Sequence, residues 1–191
     1  MEWNKNSKKS QEWIDKIAVM ILVKQELARV DYLGTWPHHL PEIAATEEQL
    51  AAVESHLGYE LNASYKDFLR CTNGWKGFYQ TVNLFGTGDL MGSNLMNYAR
   101  KMLYVLDDCG ALKSLGFSKE ELLPIAATIE DTDLFLMAHP ASHQPGIVIW
   151  FAGEEIDRYP SFEEYFLAMA DYSRLEIETI NKEIEKGTYP Y

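Results

Sequence analysis

The chain is poor in cysteine, in positive charge and in long apolar runs. Its two thiols, Cys71 and Cys109, are too few for a disulfide framework or a zinc ribbon, and unpaired thiols of this kind point to a reducing, cytoplasmic setting. No apolar run approaches the roughly 20 residues that cross a bilayer. The longest stretch of interest, Ile17 to Val23, follows Glu12 and Asp15 and precedes Lys24-Gln25-Glu26. It lacks the cationic leader and small-residue cleavage site of a signal peptide and reads as a helix to be buried. The scarcity of bases is the largest imbalance. Seventeen Lys and Arg stand against 29 Asp and Glu, a formal charge of −12. This balance argues against binding to phosphate backbones, whose affinity comes from neutralising bases, and disfavours docking on anionic membrane surfaces.

Recognisable catalytic apparatus is also missing. There is no G-x-S-x-G elbow, no P-loop and no G-x-G-x-x-G; Gly86-x-Gly88 stands without a third glycine. His139 and His143 have i, i+4 spacing, but Pro140 and Pro145 place them in a loop, where that spacing does not align side chains. His38-His39 lies beside Pro37, and Glu130-Asp131-x-Asp133 lacks the distal bidentate carboxylate of a calcium loop. We therefore expect no catalytic residues, no metal and no cofactor, and a binding protein rather than an enzyme.

What is present is an ordinary globular composition, 47% hydrophobic and 24% charged over 191 residues, enough for one domain with a sizeable core. The charge is uneven. Residues 1–30 hold six bases and four acids (+2); residues 31–191 hold eleven bases and twenty-five acids (−14). Solubility alone is a sufficient reason for an acidic body, and a basic partner is the other.

Helical spacing of Ile14, Ile17, Ile21 and Ala28 predicts a first helix over 11–30, apolar nearly all round in its middle. It needs cover on more than one side, from the domain or from a second copy in a homodimer. Thr46-Glu47-Glu48-Gln49 is a capping box that opens a second helix ending at Gly58. Tyr65, Phe68, Leu69 and Thr72 mark a third helix, stopped by Asn73-Gly74. The aromatic and β-branched run 78–85 reads as a strand, 94–107 as a helix, and Ser118 to Glu121 as a capped single turn before Pro124. Residues 134–138, 147–151 and 155–159 are further strands. Ser161 opens another helix, and Ile177, Ile180 and Ile184 mark a last one closed by Gly187. Helices, then strands, then helices predict an α+β fold in a single domain, with a mainly antiparallel sheet and an extra N-terminal helix.

The stretch Glu54-x-x-Leu57-Gly58-x-x-Leu61-Asn62-x-x-Tyr65-x-x-Phe68-Leu69-x-x-x-Asn73-Gly74 resembles the signature of the SUKH superfamily, of SMI/KNR type. Leu123-Pro124-Ile125-Ala126, Asp133-Leu134-Phe135, Gly146 to Trp150 and Pro160 to Phe166 follow in the family's order. The resemblance covers about residues 40 to 170 and suggests an N-terminal helical extension over 1–36, a SUKH-like domain over 37–170, and a C-terminal helix and tail over 171–191. One position departs from the family pattern: Asn62 stands where proline is usual, and as a strong N-cap it keeps the helix start.

The resemblance implies a bacterial immunity protein, a non-enzymatic binder of a cognate toxin effector domain, with a nuclease the kind that an acidic inhibitor suits best; a regulatory adaptor that binds a cellular protein is the alternative. The matching residues are scaffold and name no site. Interfaces favour aromatics ringed by charge and residues on loops. The candidates for partner binding are therefore Trp75, Phe78 and Tyr79, equally suited to the core, with Asp89, Glu130, Asp131, Asp133, Glu154, Glu155 and Asp157.

Overall fold

A computed structural model describes residues 2–189 of the chain. Its first element, α1 (Glu2–Val30), begins earlier than its apolar spacing suggested. Its buried residues Trp13, Ile17, Met20, Val23, Lys24, Leu27 and Val30 recur at steps of three and four, with Val23 and Lys24 side by side, which keeps them on one helix face. That face lies along the last helix, α7 (Phe162–Lys186). Trp13 packs its ring on Phe68, Phe162 and Phe166 at 5.4–5.6 Å between centroids. At the other end, Leu27 and Val30 join Ile180 and Tyr189 in a small second core. The N-terminal helix is thus built into the domain.

Between these two helices come α2 (Glu47–Leu57) and α3 (Ala63–Leu69). Both ends expected of α2 are present: the reciprocal Thr46–Gln49 box, and Gly58 at φ 80°, ψ 10°, a left-handed conformation that suits glycine. Asn62 caps α3, its Oδ1 accepting from the backbone N–H of Ser64 and Tyr65 at 3.0 and 3.3 Å. The helix start survives the loss of proline by this direct route.

The sheet is a six-stranded antiparallel meander in chain order: β1 (Trp75–Tyr79), β2 (Val82–Leu84), β3 (Leu122–Ala127), β4 (Asp133–Ala138), β5 (Val148–Ala152) and β6 (Glu155–Tyr159). Short helices α4 (Thr87–Leu90) and α6 (Ala111–Ser114) flank the longer α5 (Asn94–Asp108) in the β2–β3 crossover, and α5 lies along β3. Every residue of β3 and β4 is buried, so both faces of these central strands are covered. From α7, Tyr165 and Phe166 reach Phe78 on β1, and Tyr165 also meets Phe135 on β4.

Three expectations needed correction. The run 78–85 is a hairpin, not one strand: Gln80 turns the chain at φ 47°, and Thr128 Oγ1, at the start of the β3–β4 turn, donates to Thr81 Oγ1 at 3.0 Å. Gln-Thr carries no turn signature, and a left-handed glutamine persists only where surrounding pairing enforces it. Strand β3 was hidden by Pro124, which is tolerated beside a register shift between Pro124 and Ala126, a bulge of the kind where proline occurs within sheets. The two C-terminal helices are one. No glycine or proline interrupts residues 162–186, and the mid-helix Ser173 hydroxyl donates to the Met169 carbonyl at 2.8 Å.

One buried cation ties α1 to the sheet edge. Lys24 occupies a core position of α1, and its Nζ donates to the carbonyls of Gly77 and Phe78, where the β1–β2 register is irregular. Burial pushes its ammonium from 10.5 down to about 8. Below pH 8 the amine is protonated in both states, and the folded protein carries the cost of a desolvated charge. Between pH 8 and 10.5 the unfolded chain binds more protons, so stability rises with pH. Urea denaturation of the wild type and Lys24→Met across that window tests this. The wild type should gain about 3 kcal/mol on the variant; a pH-independent difference contradicts the buried ammonium.

Candidate partner-binding face

In a meander, alternate turns fall at the same end of the sheet. Here the β1–β2 turn at 80–81, the β3–β4 turn at 128–132 and the β5–β6 turn at 153–154 share one end. That topology gathers most of the acids singled out in the sequence. Glu130, Asp131 and Glu154 are exposed in the turns. Asp133 opens β4 opposite Ala152 and is buried, with Trp150 Nε1 donating to its Oδ1 at 2.6 Å. Burial pushes its carboxyl above the usual range, against the opposing effect of that hydrogen bond. Asp133 therefore orders the end of the sheet and presents little surface of its own. Glu155 and Asp157 are half-buried along β6. Glu155 accepts from Arg158 at 2.9 and 3.1 Å, and Asp157 accepts from the Tyr172 hydroxyl at 3.1 Å.

Three residues that the sequence did not single out complete this face. Glu176 of α7 reaches Gln80 of the first turn, and burial, the main influence on it, raises its carboxyl. Its helical position gave no sign that it would meet the sheet end. Ile129 is 70% exposed directly before Glu130 and Asp131, and Ile156 is exposed between Glu155 and Asp157. An isoleucine inside an acidic turn is the signal that could have found the first. The face thus combines apolar side chains with surrounding carboxylates, the makeup of an anchor within a charged rim.

The remaining candidates lie elsewhere. Trp75, Phe78 and Tyr79 are buried in the core, the second of the two roles that their sequence allowed. Trp75 Nε1 donates to the His39 carbonyl at 2.8 Å. Tyr79 packs on Trp150 and Tyr172, and burial pushes its phenol up to about 12. Tyr79 thus lies beneath the acidic end, while Trp75 begins β1 at the opposite end of the sheet. Asp89 is at the opposite end of the sheet, where its Oδ2 accepts from the Gly86 N–H at 3.2 Å. It lines an open groove of about 770 Å³ with Glu42, Ile43, Asn73, Lys76 and Asn94 among others.

The histidines are dispersed. His38 contacts Asp31 at 2.9 Å, His139 packs against Tyr59, and His143 lies between Phe117 and Glu121. Among the described residues, no group of three or more His, Cys, Asp or Glu is arranged to hold a metal ion, and no helix is long and apolar enough to cross a membrane.

The residues that carry the resemblance have structural roles fitting a shared scaffold. Leu61, Tyr65, Phe68 and Leu69 are core, Gly58 and Asn62 set helix ends, and Asn73-Gly74 locks the start of β1 to the loop after β2. None of the curated proteins compared matches the chain. A family model described as SMI1 / KNR4 family (SUKH-1) matches residues 44–168, about two thirds of the sequence, from just before α2 into α7. The chain is a member of the SMI1/KNR4 (SUKH-1) family.

Proposed function

We propose that this protein is a non-enzymatic immunity protein that binds a cognate toxin domain through the acidic end of its sheet and blocks it by occupancy. The observation that carries this reading is Ile129, exposed among Glu130, Asp131 and Glu154 on neighbouring turns. Family membership supports a binding role, and the charge favours a basic partner surface. A nuclease domain offers such a surface, since it must be positive where it holds phosphate. An acidic face of this kind accelerates encounter by long-range attraction, to about 10⁸–10⁹ M⁻¹s⁻¹ at low salt.

Finding a toxin gene beside this protein's gene and co-expressing the two tests the reading. The protein should restore growth and co-purify with the toxin domain. Growth arrest together with no co-purification overturns the proposal.

A further inference from the structure

Among the described residues, four of the five arginines hold a carboxylate at 2.5–2.9 Å: Arg29 with Glu26, Arg70 with Glu47, Arg158 with Glu155, and Arg174 with Asp171. Arg100 of α5 has no such partner and makes no side-chain hydrogen bond, in a chain with 29 acids. It is also half-buried. A partly dehydrated guanidinium with no counter-charge of its own is suited to an anion from outside. Arg100 lines a cleft of about 210 Å³ at the start of β3. That strand runs from the cleft to the 128–132 turn, so the cleft lies at the end of the sheet away from the acidic turns. Tyr59 stands beside the guanidinium: burial raises its phenol, and the Arg100 charge opposes the rise. The second cation of the cleft, Lys119, is held by Asp107 at 2.6 Å and lies 5.2 Å over the Tyr104 ring. Glu120, 4.0 Å from Lys119, has a 72% exposed side chain and stays hydrated at the rim. The unmatched buried charge is therefore that of Arg100.

We propose that this cleft binds the C-terminal residue of a partner polypeptide, with its carboxylate on Arg100 and its apolar side chain against Leu57, Leu103 and Leu123. Charge and apolar lining together select a chain end. A guanidinium offers parallel N–H groups that match both oxygens of a carboxylate. Acidic side chains bring a carboxylate without an apolar group, whereas a terminal leucine or valine carries both on one carbon. Size agrees with this occupant. The cleft is smaller than the roughly 300–1,000 Å³ of sites that enclose a whole ligand. It has room for about one residue, and its open side lets the preceding chain lead away.

The inference is independent of the toxin-binding reading, and its test uses no toxin. Titrating ¹⁵N-labelled protein with the peptide acetyl-Gly-Gly-Leu should give saturable amide shifts at residues 57–59, 100–104 and 119–123, with a Kd of about 0.1–1 mM. The same peptide with an amidated C-terminus should bind at least about tenfold more weakly. Arg100→Gln should weaken binding of the free acid by a similar factor and keep the fold, because it leaves no carboxylate unpaired. Lys101→Gln changes net charge equally at the exposed neighbouring position and should leave binding unchanged. Isocaproate, which has leucine's side chain and carboxylate but no peptide chain, should bind more weakly than the peptide. No saturable shift up to about 10 mM peptide, equal binding of the amide, equal weakening by Lys101→Gln, or isocaproate binding as tightly as the peptide overturns the proposal.

Discussion

Gly86→Ala should destabilise the domain severely. A Cβ at residue 86 would lie 2.1 Å from the Asn73 carbonyl oxygen and 2.8 Å from its carbon, both backbone atoms that no rotamer change can move. Gly74 faces it from the other chain, where an added Cβ would meet the Gly86 nitrogen at 2.6 Å. The two segments are clamped as well as close. The Thr87 N–H donates to Asn73 Oδ1 at 2.7 Å, and Asn73 Nδ2 donates to Thr87 Oγ1 at 2.8 Å. A methyl group therefore forces apart the start of β1 and the exit of β2, together with the buried Trp75, Leu84 and Phe85 beside them. We expect a loss of more than about 4 kcal/mol, against a total stability of roughly 5–15 kcal/mol for a domain of this kind. Gly88→Ala, two residues on and with nothing within 4 Å of its Cβ, should be close to neutral. Urea denaturation of both variants decides the matter; a Gly86→Ala protein within about 1 kcal/mol of wild type contradicts the close approach.

Reversing the sheet-end charge should slow partner binding without harming the fold. Glu130→Lys, Asp131→Lys and Glu154→Lys together change exposed positions alone, so stability should move by no more than about 0.5 kcal/mol per site. The association rate with the toxin domain should fall about 10- to 100-fold at low salt, and its salt dependence should flatten. Net charge changes too, from −12 to −6, so location needs its own control. Glu48→Lys, Glu60→Lys and Asp108→Lys give the same net charge from exposed positions on α2, the α2–α3 loop and α5, and should slow association far less. Ile129→Asp should act mainly on dissociation, because a desolvated anchor holds a formed complex while charge governs encounter. Equal slowing by the two triple variants places the contact elsewhere and leaves only a global charge effect.

What the sequence made legible was local. Thr46–Gln49, Asn62 and Ser161 each satisfy backbone donors within three residues of themselves, so their helix starts could be read from short spacings. Elements that depend on distant pairing were hidden. The turn at Gln80 has no local cause, and Pro124 looked like a terminator until β3 was seen paired with β4. Gly74 and Gly86 read as a helix stop and a loop residue, whereas their decisive property is how closely they approach each other. The site divided in the same way. Individual loop acids were visible as charges, but only the meander order brings three turns to one end. Burial separates Trp75, Phe78 and Tyr79 from the surface, and Asp89 proves to be at the far end of the sheet.

The central claim is that protection comes from occupancy and not from chemistry, and an activity titration of the purified toxin domain tests it most directly. With toxin held well above the dissociation constant, residual activity should fall linearly with added protein and reach zero at one molar equivalent, independent of incubation time. Loss of toxin activity that proceeds with time at a small fraction of an equivalent would mean turnover, and would contradict the account.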